Sequence, residues 1–588
     1  MPGDLTSLYR ARTAREKGTV EKDWGGRCSV ALVYPNAYHL GMSNLGFQVV
    51  YGLLNDRPDT VAERVFLPEG QEMSLHLRRG TPLFSLESRR PLRDFDLIAF
   101  SLSFENDYPN ILKILEMGRI RLLERERREA PPFVMAGGVT TFLNPEPLAP
   151  FMDFFLLGEA EANLNEFMDR FTTADSVSAD KEEFKLFLAR NISSLYVPSL
   201  YRVRYRRDGT IGSCRPLKAG VPEKVRSAVS RPGEFAAGPV ACSTLTTPDT
   251  EFGDRVLIEL GRGCGRSCRF CAAGYVYRPP RIHEESRLLS AVGAALEGCP
   301  QVGLLSAAVT DIPGIERIAS AIVQRGNRFS VSSLRADSLT EGLLVSLREA
   351  GQKTIAIAPE AGSERLRRTI NKHLSREQIH EAVTRIADTG DFSIRLYFLV
   401  GLPTETDDDI GAIVDMLKSM KHHMVKSSAG RGSIGQIRLS VNCFVPKPFT
   451  PFQWFPMASV SSLKQKQRRL KKALSREGGV KVSFDLPKWA YVQTLLAMGD
   501  RRTGDMLLKA HQLGGNWWKA FPHMEINPDF FVHRPRGIDE RLPWDVIDHG
   551  IDKAYLAKEY KLALKERESE ICLVGECTRC GVCAGIEH

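Results

Sequence analysis

Two blocks of strand–loop–helix rhythm constrain this chain more than any other feature. The longer block starts near residue 255. Its apolar stretches RVLIELGRG, QVGLLSAA, RFSVSSLRAD, KTIAIAPEAG, FSIRLYFLVGLP and QIRLSVNCFVP alternate with amphipathic segments such as GLLVSLREAG and EQIHEAVTRIADTG. A helix between two strands forces a crossover, so neighbouring strands pair in parallel. Six such units predict a partial (β/α)6 barrel whose chemistry sits at the carboxyl ends of its strands. The shorter block carries CSVALVYP, DFDLIAFSLSF, PPFVMAGGV and DFFLLGEAE with helical stretches between them. It predicts a doubly wound, flavodoxin-like parallel sheet with a ligand crevice at its strand ends.

These blocks organise the 588 residues as an α/β chain of several domains. The expected divisions are an N-terminal extension over 1–24, the doubly wound domain over 25–172, a connector over 173–250, the barrel over 251–455 and a mainly helical region over 456–588. The connector mixes an acidic helical stretch, Asp180 to Arg190, with short strand-like pieces and Pro/Gly turns. No apolar run reaches the roughly 18 residues needed to cross a bilayer. The first residues lack the apolar core of a secretory signal, so a cytoplasmic location with no membrane partner is expected. A net charge of +9 permits a nucleic-acid partner and equally suits a solvated surface. The same two readings apply to the basic stretch SLKQKQRRLKKALSREGG at 462–479, whose apolar side is Leu463, Leu470, Ala473 and Leu474.

Twelve cysteines in such a chain point to metal or thiol chemistry rather than a disulfide framework. Cys28, Cys214, Cys242, Cys299 and Cys443 are scattered and read as ordinary buried side chains. Cys264, Cys268 and Cys271 stand together in GRGCGRSCRFC, directly after the first barrel strand. Three thiolates on a loop kept tight by Gly263, Gly265 and Ser267 can hold three irons of a 4Fe–4S cluster and leave the fourth iron open. Zinc would call for a fourth protein ligand, and none stands near in sequence. Cys572, Cys577, Cys580 and Cys583 form the other group. They can ligate a second 4Fe–4S cluster, close a zinc site, or remain redox-labile thiols; the short spacing is nearer to ferredoxin-type runs.

Over residues 252–455 the chain resembles the radical S-adenosylmethionine (SAM) superfamily. The resemblance implies that Cys264, Cys268 and Cys271 carry the catalytic cluster and that Phe270 lies beside the SAM adenine. It further implies that Arg335 in SSLRAD pairs with the SAM carboxylate, Glu360 in PEAG approaches the ribose or amino group, and Gly401 in GLPTET backs the adenine. The second strand ends in Ser306-Ala307-Ala308, where many members carry Gly-Gly-Glu. The SAM amino group is then left to backbone carbonyls or to Glu360.

The N-terminal block resembles cobalamin domains fused to such barrels. Asn36-x-Tyr38-x-x-Gly41 has the spacing of the Asp-x-His-x-x-Gly loop in related cobalamin domains, with Tyr38 standing where the cobalt-ligating His would be. Ser101, Ser103, Gly137 and Gly138 match positions that line the pocket for the dimethylbenzimidazole tail, and Gly158-Glu159 in LLGEAE completes the resemblance. The resemblance implies cobalamin with Tyr38 below the cobalt, as a weak ligand or a wall.

Together the modules imply a cobalamin-dependent radical SAM enzyme. Its cluster would cleave SAM to a 5′-deoxyadenosyl radical, and methylcobalamin would methylate an unactivated carbon of the substrate. Two rival readings stand beside this one: rearrangement or cyclisation without net methylation, and an RNA-binding or RNA-modifying role for the basic C-terminal region. A reducing partner of the flavodoxin or ferredoxin type is implied. The substrate, RNA included, and the oligomeric state are not written in the sequence.

Overall fold

The computed structural model describes residues 4–127, 131–172, 180–428, 435–574 and 577–583. The N-terminal sheet consists of β1 (Cys28–Tyr34), β2 (Thr60–Phe66), β3 (Leu97–Ser101), β4 (Phe133–Gly137), β5 (Phe154–Leu156) and β6 (Leu195–Tyr196). Their spatial order is β2-β1-β3-β4-β5-β6, parallel throughout except that β6 runs antiparallel to β5. This is the doubly wound order expected from the rhythm, with its switch point between β1 and β3. The helices Leu45–Asp56 and Ala160–Phe171 pack together beside it.

Strand β2 was not among the expected strands. Its sequence, TVAERVF, is buried along its whole length yet places Glu63 and Arg64 at its centre. Both charges are met inside the fold. Arg64 pairs with Glu16 and Glu87 at 2.6 Å each. Glu63 accepts hydrogen bonds from the Trp24 indole at 2.8 Å and from the Ser85 and Ser88 hydroxyls. A buried charge with its partners in place is tolerated, but it erases the apolar run by which such a strand is recognised.

Among the described residues the barrel contains seven parallel strands in chain order: β7 (Val256–Glu259), β8 (Gln301–Leu305), β9 (Arg328–Val331), β10 (Thr354–Glu360), β11 (Ser393–Val400), β12 (Ile437–Cys443) and β13 (Val480–Phe484). Strands β7 to β9 form one run and β10 to β13 another, joined by a parallel bridge between Leu334 and Ile357. The first six are the expected ones. The seventh lies within the region after residue 456, which is mainly helical as expected. VKVSF is short, alternates half-buried and exposed residues, and pairs in parallel with β12. The helix Val460–Leu474 is the crossover that feeds it, burying Leu463, Leu470 and Leu474 against the barrel. Two cations of its basic face are already engaged, Lys466 with Glu405 and Arg469 with Asp407.

The connector holds the helix Lys181–Asn191 and an antiparallel hairpin, Tyr201–Tyr205 with Ile211–Pro216. Beyond β13 the chain is mainly helical to Lys553–Leu564, broken by the short strand Ile547–Asp548, which pairs in parallel with Val225–Arg226 of the connector. A continuous apolar core runs from the first sheet into the barrel. Among the described residues no helix is long and apolar enough to cross a membrane.

Candidate active site

The cysteine loop leaves the end of β7 and is tightened by two left-handed residues. Gly263 has φ +83, and a β-carbon there would lie 2.5 Å from the Tyr277 carbonyl oxygen, so glycine is required. Ser267 adopts φ +57, an uncommon conformation for a side-chain-bearing residue. It is held there on three sides. Its carbonyl accepts from Tyr275 Oη at 3.2 Å and Asn371 Nδ2 at 3.1 Å, and its hydroxyl accepts from Arg278 at 2.8 Å. Strain so held is typical of sites that must pre-set a geometry.

Burial raises the thiol pKa values of Cys264 and Cys271, the latter to about 12, and each feels the charge of neighbouring loop thiols. Cys264 and Cys271, whose burial disfavours the thiolate, stand with Cys268 on one loop as a donor set in which bound iron would replace the protons. Among the described residues no group of three or more Cys, His, Asp or Glu side chains is already closed to metal-ligand geometry.

The residues expected at SAM gather around this loop. Phe270 packs on an apolar cluster containing Ala361, Leu402 and Phe444, which brings the ends of β10, β11 and β12 together. Glu360 has φ +66 at the end of β10 and lies 3.4 Å from Lys372 Nζ. Gly401 has φ +84 where Leu463 presses close, and its N–H donates to Glu405 at 2.8 Å. The Arg335 guanidinium donates twice to Asp337, at 3.0 and 2.8 Å. Asp337 is shared with Arg266 of the cysteine loop, which also donates to Asp311 at 2.8 Å. A SAM carboxylate reaching Arg335 therefore competes with Asp337.

A cavity of about 490 Å³ runs from the N-terminal sheet to the barrel mouth. One face of four adjacent strands forms its floor: Val30 and Leu32 of β1, Leu97, Ala99 and Ser101 of β3, Met135 and Gly137 of β4, and Leu156 of β5. Register aligns Ala99 with Met135 and Ser101 with Gly137, so side chains shrink toward the carboxyl edge and the space widens there. The helices Leu45–Asp56 and Ala160–Phe171 wall it with Val49, Val50, Leu164 and Met168. At its far end lie Gly263, Ala273 and Tyr277 around the cysteine loop, together with Ser306, Ala307 and Ser332 at the ends of β8 and β9.

Ser101, Ser103, Gly137, Gly138, Gly158 and Glu159 all line this cavity. Two of the glycines are required by the chain itself. A β-carbon on Gly138 would lie 2.4 Å from the Leu102 carbonyl oxygen, and one on Gly158 would lie 2.1 Å from that of Ala228. These positions serve close approach of the chain to itself. Gly137 is different: its β-carbon would meet only the Leu156 carbonyl oxygen at 3.6 Å. The Glu159 carboxylate is held by Arg281 at 2.8 and 2.5 Å.

Asn36, Tyr38 and Gly41 do not line the cavity. Asn36 donates to Asp107 at 2.7 Å. Tyr38 begins a one-turn helix that turns its ring under Arg12 and its hydroxyl onto Glu16, to which it donates at 2.5 Å. It borders a separate cavity of about 210 Å³. A β-carbon on Gly41 would strike the Phe66 ring at 2.4 Å. The residue this loop does send to the large cavity is Asn44, which caps the helix Leu45–Asp56 and donates to Ser103 Oγ at 3.0 Å. An Asn just before an apolar helical stretch was the readable sign of that cap. Arg262, bonded to Glu259 and Glu161 across the cavity, carried no comparable sign.

A second layer grips the cysteine loop from far along the chain. Arg269, fully buried, donates to Glu559 at 3.1 Å and to the carbonyls of Thr369 at 2.9 Å and Arg567 at 2.8 Å. Ser569 donates its hydroxyl to Glu559 and its N–H to Asn371. The Cys572 N–H donates to the Gly265 carbonyl at 2.7 Å, so the second cysteine group adjoins the first.

Residues 258–417 match the radical SAM superfamily, and residues 46–198 match the family of N-terminal regions of radical SAM proteins. The chain is a radical SAM protein. An uncharacterized protein of Methanocaldococcus jannaschii is 29% identical over 483 residues, 82% of this chain and 90% of that protein. The ribosomal protein uS12 methylthiotransferase RimO of Pseudothermotoga lettingae is 25% identical over 181 residues, 28% of this radical SAM chain and 41% of its own. Among solved structures, the radical SAM methyltransferase TsrM from Kitasatospora setae, with cobalamin and a [4Fe-4S] cluster bound, aligns at a TM-score of 0.44 and 14% identity over 71% of this chain and 75% of that one.

Proposed function

We propose that this radical SAM protein holds a corrinoid in the cavity between its two parallel sheets and methylates an unactivated carbon of a substrate admitted at the barrel mouth. The observation that carries the reading is the continuity of that cavity. It joins the apolar slot over Ser101 and Gly137 to the residues flanking Cys264 and Cys271. Two features fit the corrinoid. The slot is flat-floored, apolar and narrow at depth, as an aromatic tail requires. Asn163 lines it with a buried Oδ1 that has no hydrogen-bond partner, an acceptor suited to a donor on the ligand.

When bound, the cluster supplies the electron for reductive cleavage of SAM and the corrinoid supplies a transferable methyl group. The chain's own residues do the placing. Ser101, Ser103 and Asn44 present hydroxyl and amide groups at the widening end of the slot, while Gly137 leaves room between them. Phe270, Glu360 and Gly401 fix SAM next to the loop, with Lys372 beside Glu360. Arg262, tied to Glu259 and Glu161, places its guanidinium on the cavity wall beside Gly263 of the cysteine loop.

The test is anaerobic turnover with quantified products. Cys264→Ala, Cys268→Ala or Cys271→Ala is expected to abolish 5′-deoxyadenosine formation and to lower iron by about one cluster per chain. Methylation predicts S-adenosylhomocysteine alongside 5′-deoxyadenosine; rearrangement predicts the second product alone. Protein purified from corrinoid-supplied cells with no bound corrinoid would end the cofactor reading.

A further inference from the structure

The second cysteine group touches the cysteine loop directly. The Cys572 N–H bonds to the carbonyl of Gly265, the residue next to Cys264, and the space that a β-carbon on Gly265 would enter is bounded by the Cys572 carbonyl oxygen at 3.1 Å and its Cβ at 3.8 Å. The Cys577 N–H donates to the Leu573 carbonyl at 3.0 Å and the Gly581 N–H to the Thr578 carbonyl at 3.3 Å, so the four cysteines share one short stretch that turns back on itself. They span a gradient from outside to inside. Cys577 stands half-exposed beside the exposed Leu573 and Val574, whereas Cys580 is buried with its carbonyl accepting from the Asp552 N–H at 3.0 Å. That the four are not closed to metal geometry does not separate them from the loop cysteines, of which the same is true.

We propose that Cys572, Cys577, Cys580 and Cys583 bind an iron–sulfur cluster that relays single electrons from an external carrier of the flavodoxin or ferredoxin class to the cluster on the Cys264 loop. The proposal rests on the reading that this loop carries a 4Fe–4S cluster. The carrier loses one electron, the outer cluster gains and then surrenders it, and the inner cluster keeps it. No bond forms or breaks and no proton moves. Contact explains why the second group belongs here: the shortest path is one hydrogen bond and one residue of backbone, from Cys572 through Gly265 to Cys264. Four thiolates complete the coordination of a cubane and leave no open iron, which suits a relay and not a SAM site.

The experiment uses the full chain, reconstituted anaerobically, beside a Cys577→Ser/Cys583→Ser variant and a milder Cys577→Ser variant in case the pair does not fold. About eight irons per chain and negligible zinc are expected in the parent, and about four irons in whichever variant folds. Dithionite should reduce the inner cluster equally in parent and variant, while reduced flavodoxin should lose that ability in the variant. One zinc and about four irons in the parent would overturn the relay. Equal reduction by flavodoxin with and without the outer thiols would overturn it too. A Cys268→Ala chain that keeps all its iron would instead defeat the reading of the loop itself.

Discussion

Gly137 and Gly138 are neighbours in sequence with opposite jobs, and substitution separates them. Gly138 has φ +99 and no room for a β-carbon beside Leu102, so Gly138→Ala should cost about 2 kcal/mol or more in unfolding experiments on cofactor-free protein. Gly137 has ordinary contact distance to spare, so Gly137→Val should leave that stability within about 1 kcal/mol of the parent and fill the slot instead. Its expected phenotype is a folded chain that no longer retains corrinoid. Equal corrinoid content in Gly137→Val and parent would place the ligand elsewhere. Tyr38 makes a complementary case. Its ring and hydroxyl are spent on Arg12 and Glu16, so Tyr38→His should leave the visible spectrum of a bound corrinoid unchanged. The spacing that singled out Tyr38 was real; the direction of its side chain depends on a partner 22 residues away, which spacing does not record.

Among the elements, the grip on the cysteine loop is the one most exposed to a single change. Arg269→Ala would leave Glu559 buried with the Ser569 hydroxyl but without its cation, a loss expected to cost about 3–5 kcal/mol. The effect should be local. Hydrogen exchange should rise over residues 553–572 and the loop, while β1 to β5 stay protected; unchanged exchange over 553–572 would show that the pair does not hold the segment. This grip was invisible in the sequence because Arg269 and Glu559 stand 290 positions apart. The six expected barrel strands were legible for the opposite reason: each keeps its apolar residues either in a run, as VLIE and QVGLL do, or in alternation, as SIRLYFLV and IRLSVNC do. β2 was hidden by Glu63 and Arg64, whose neutralising partners come from other segments. β13 was hidden because none of its residues is fully buried and Lys481 and Ser483 stand exposed between its apolar positions. Ligand spacing along one loop can be read from sequence; contacts closed by folding cannot.

The whole molecule carries an acid-sensitive fastening between its first and last thirds. His549 donates Nε2–H to the Phe142 carbonyl at 2.7 Å and lies between the Phe142 and Phe449 rings. Burial lowers its pKa from 6.5 to about 4. At pH 7 it is neutral in both folded and unfolded chains and contributes no pH dependence. As pH falls below about 6.5 the unfolded chain takes up a proton that the folded chain refuses. Stability should then drop by roughly 1.4 kcal/mol per pH unit until the folded pKa is reached. His549→Gln should flatten that part of the curve in denaturant titrations between pH 6.5 and 4.5; an unaltered slope would refute the assignment. The same length scale governs the clasp on the cysteine loop. A chain emerging from a ribosome displays Cys264, Cys268 and Cys271 long before Glu559 and Ser569 have been synthesised to fix them. The loop thus precedes its own clasp in synthesis, and the contacts that fix it can close only once residues 559–569 have emerged.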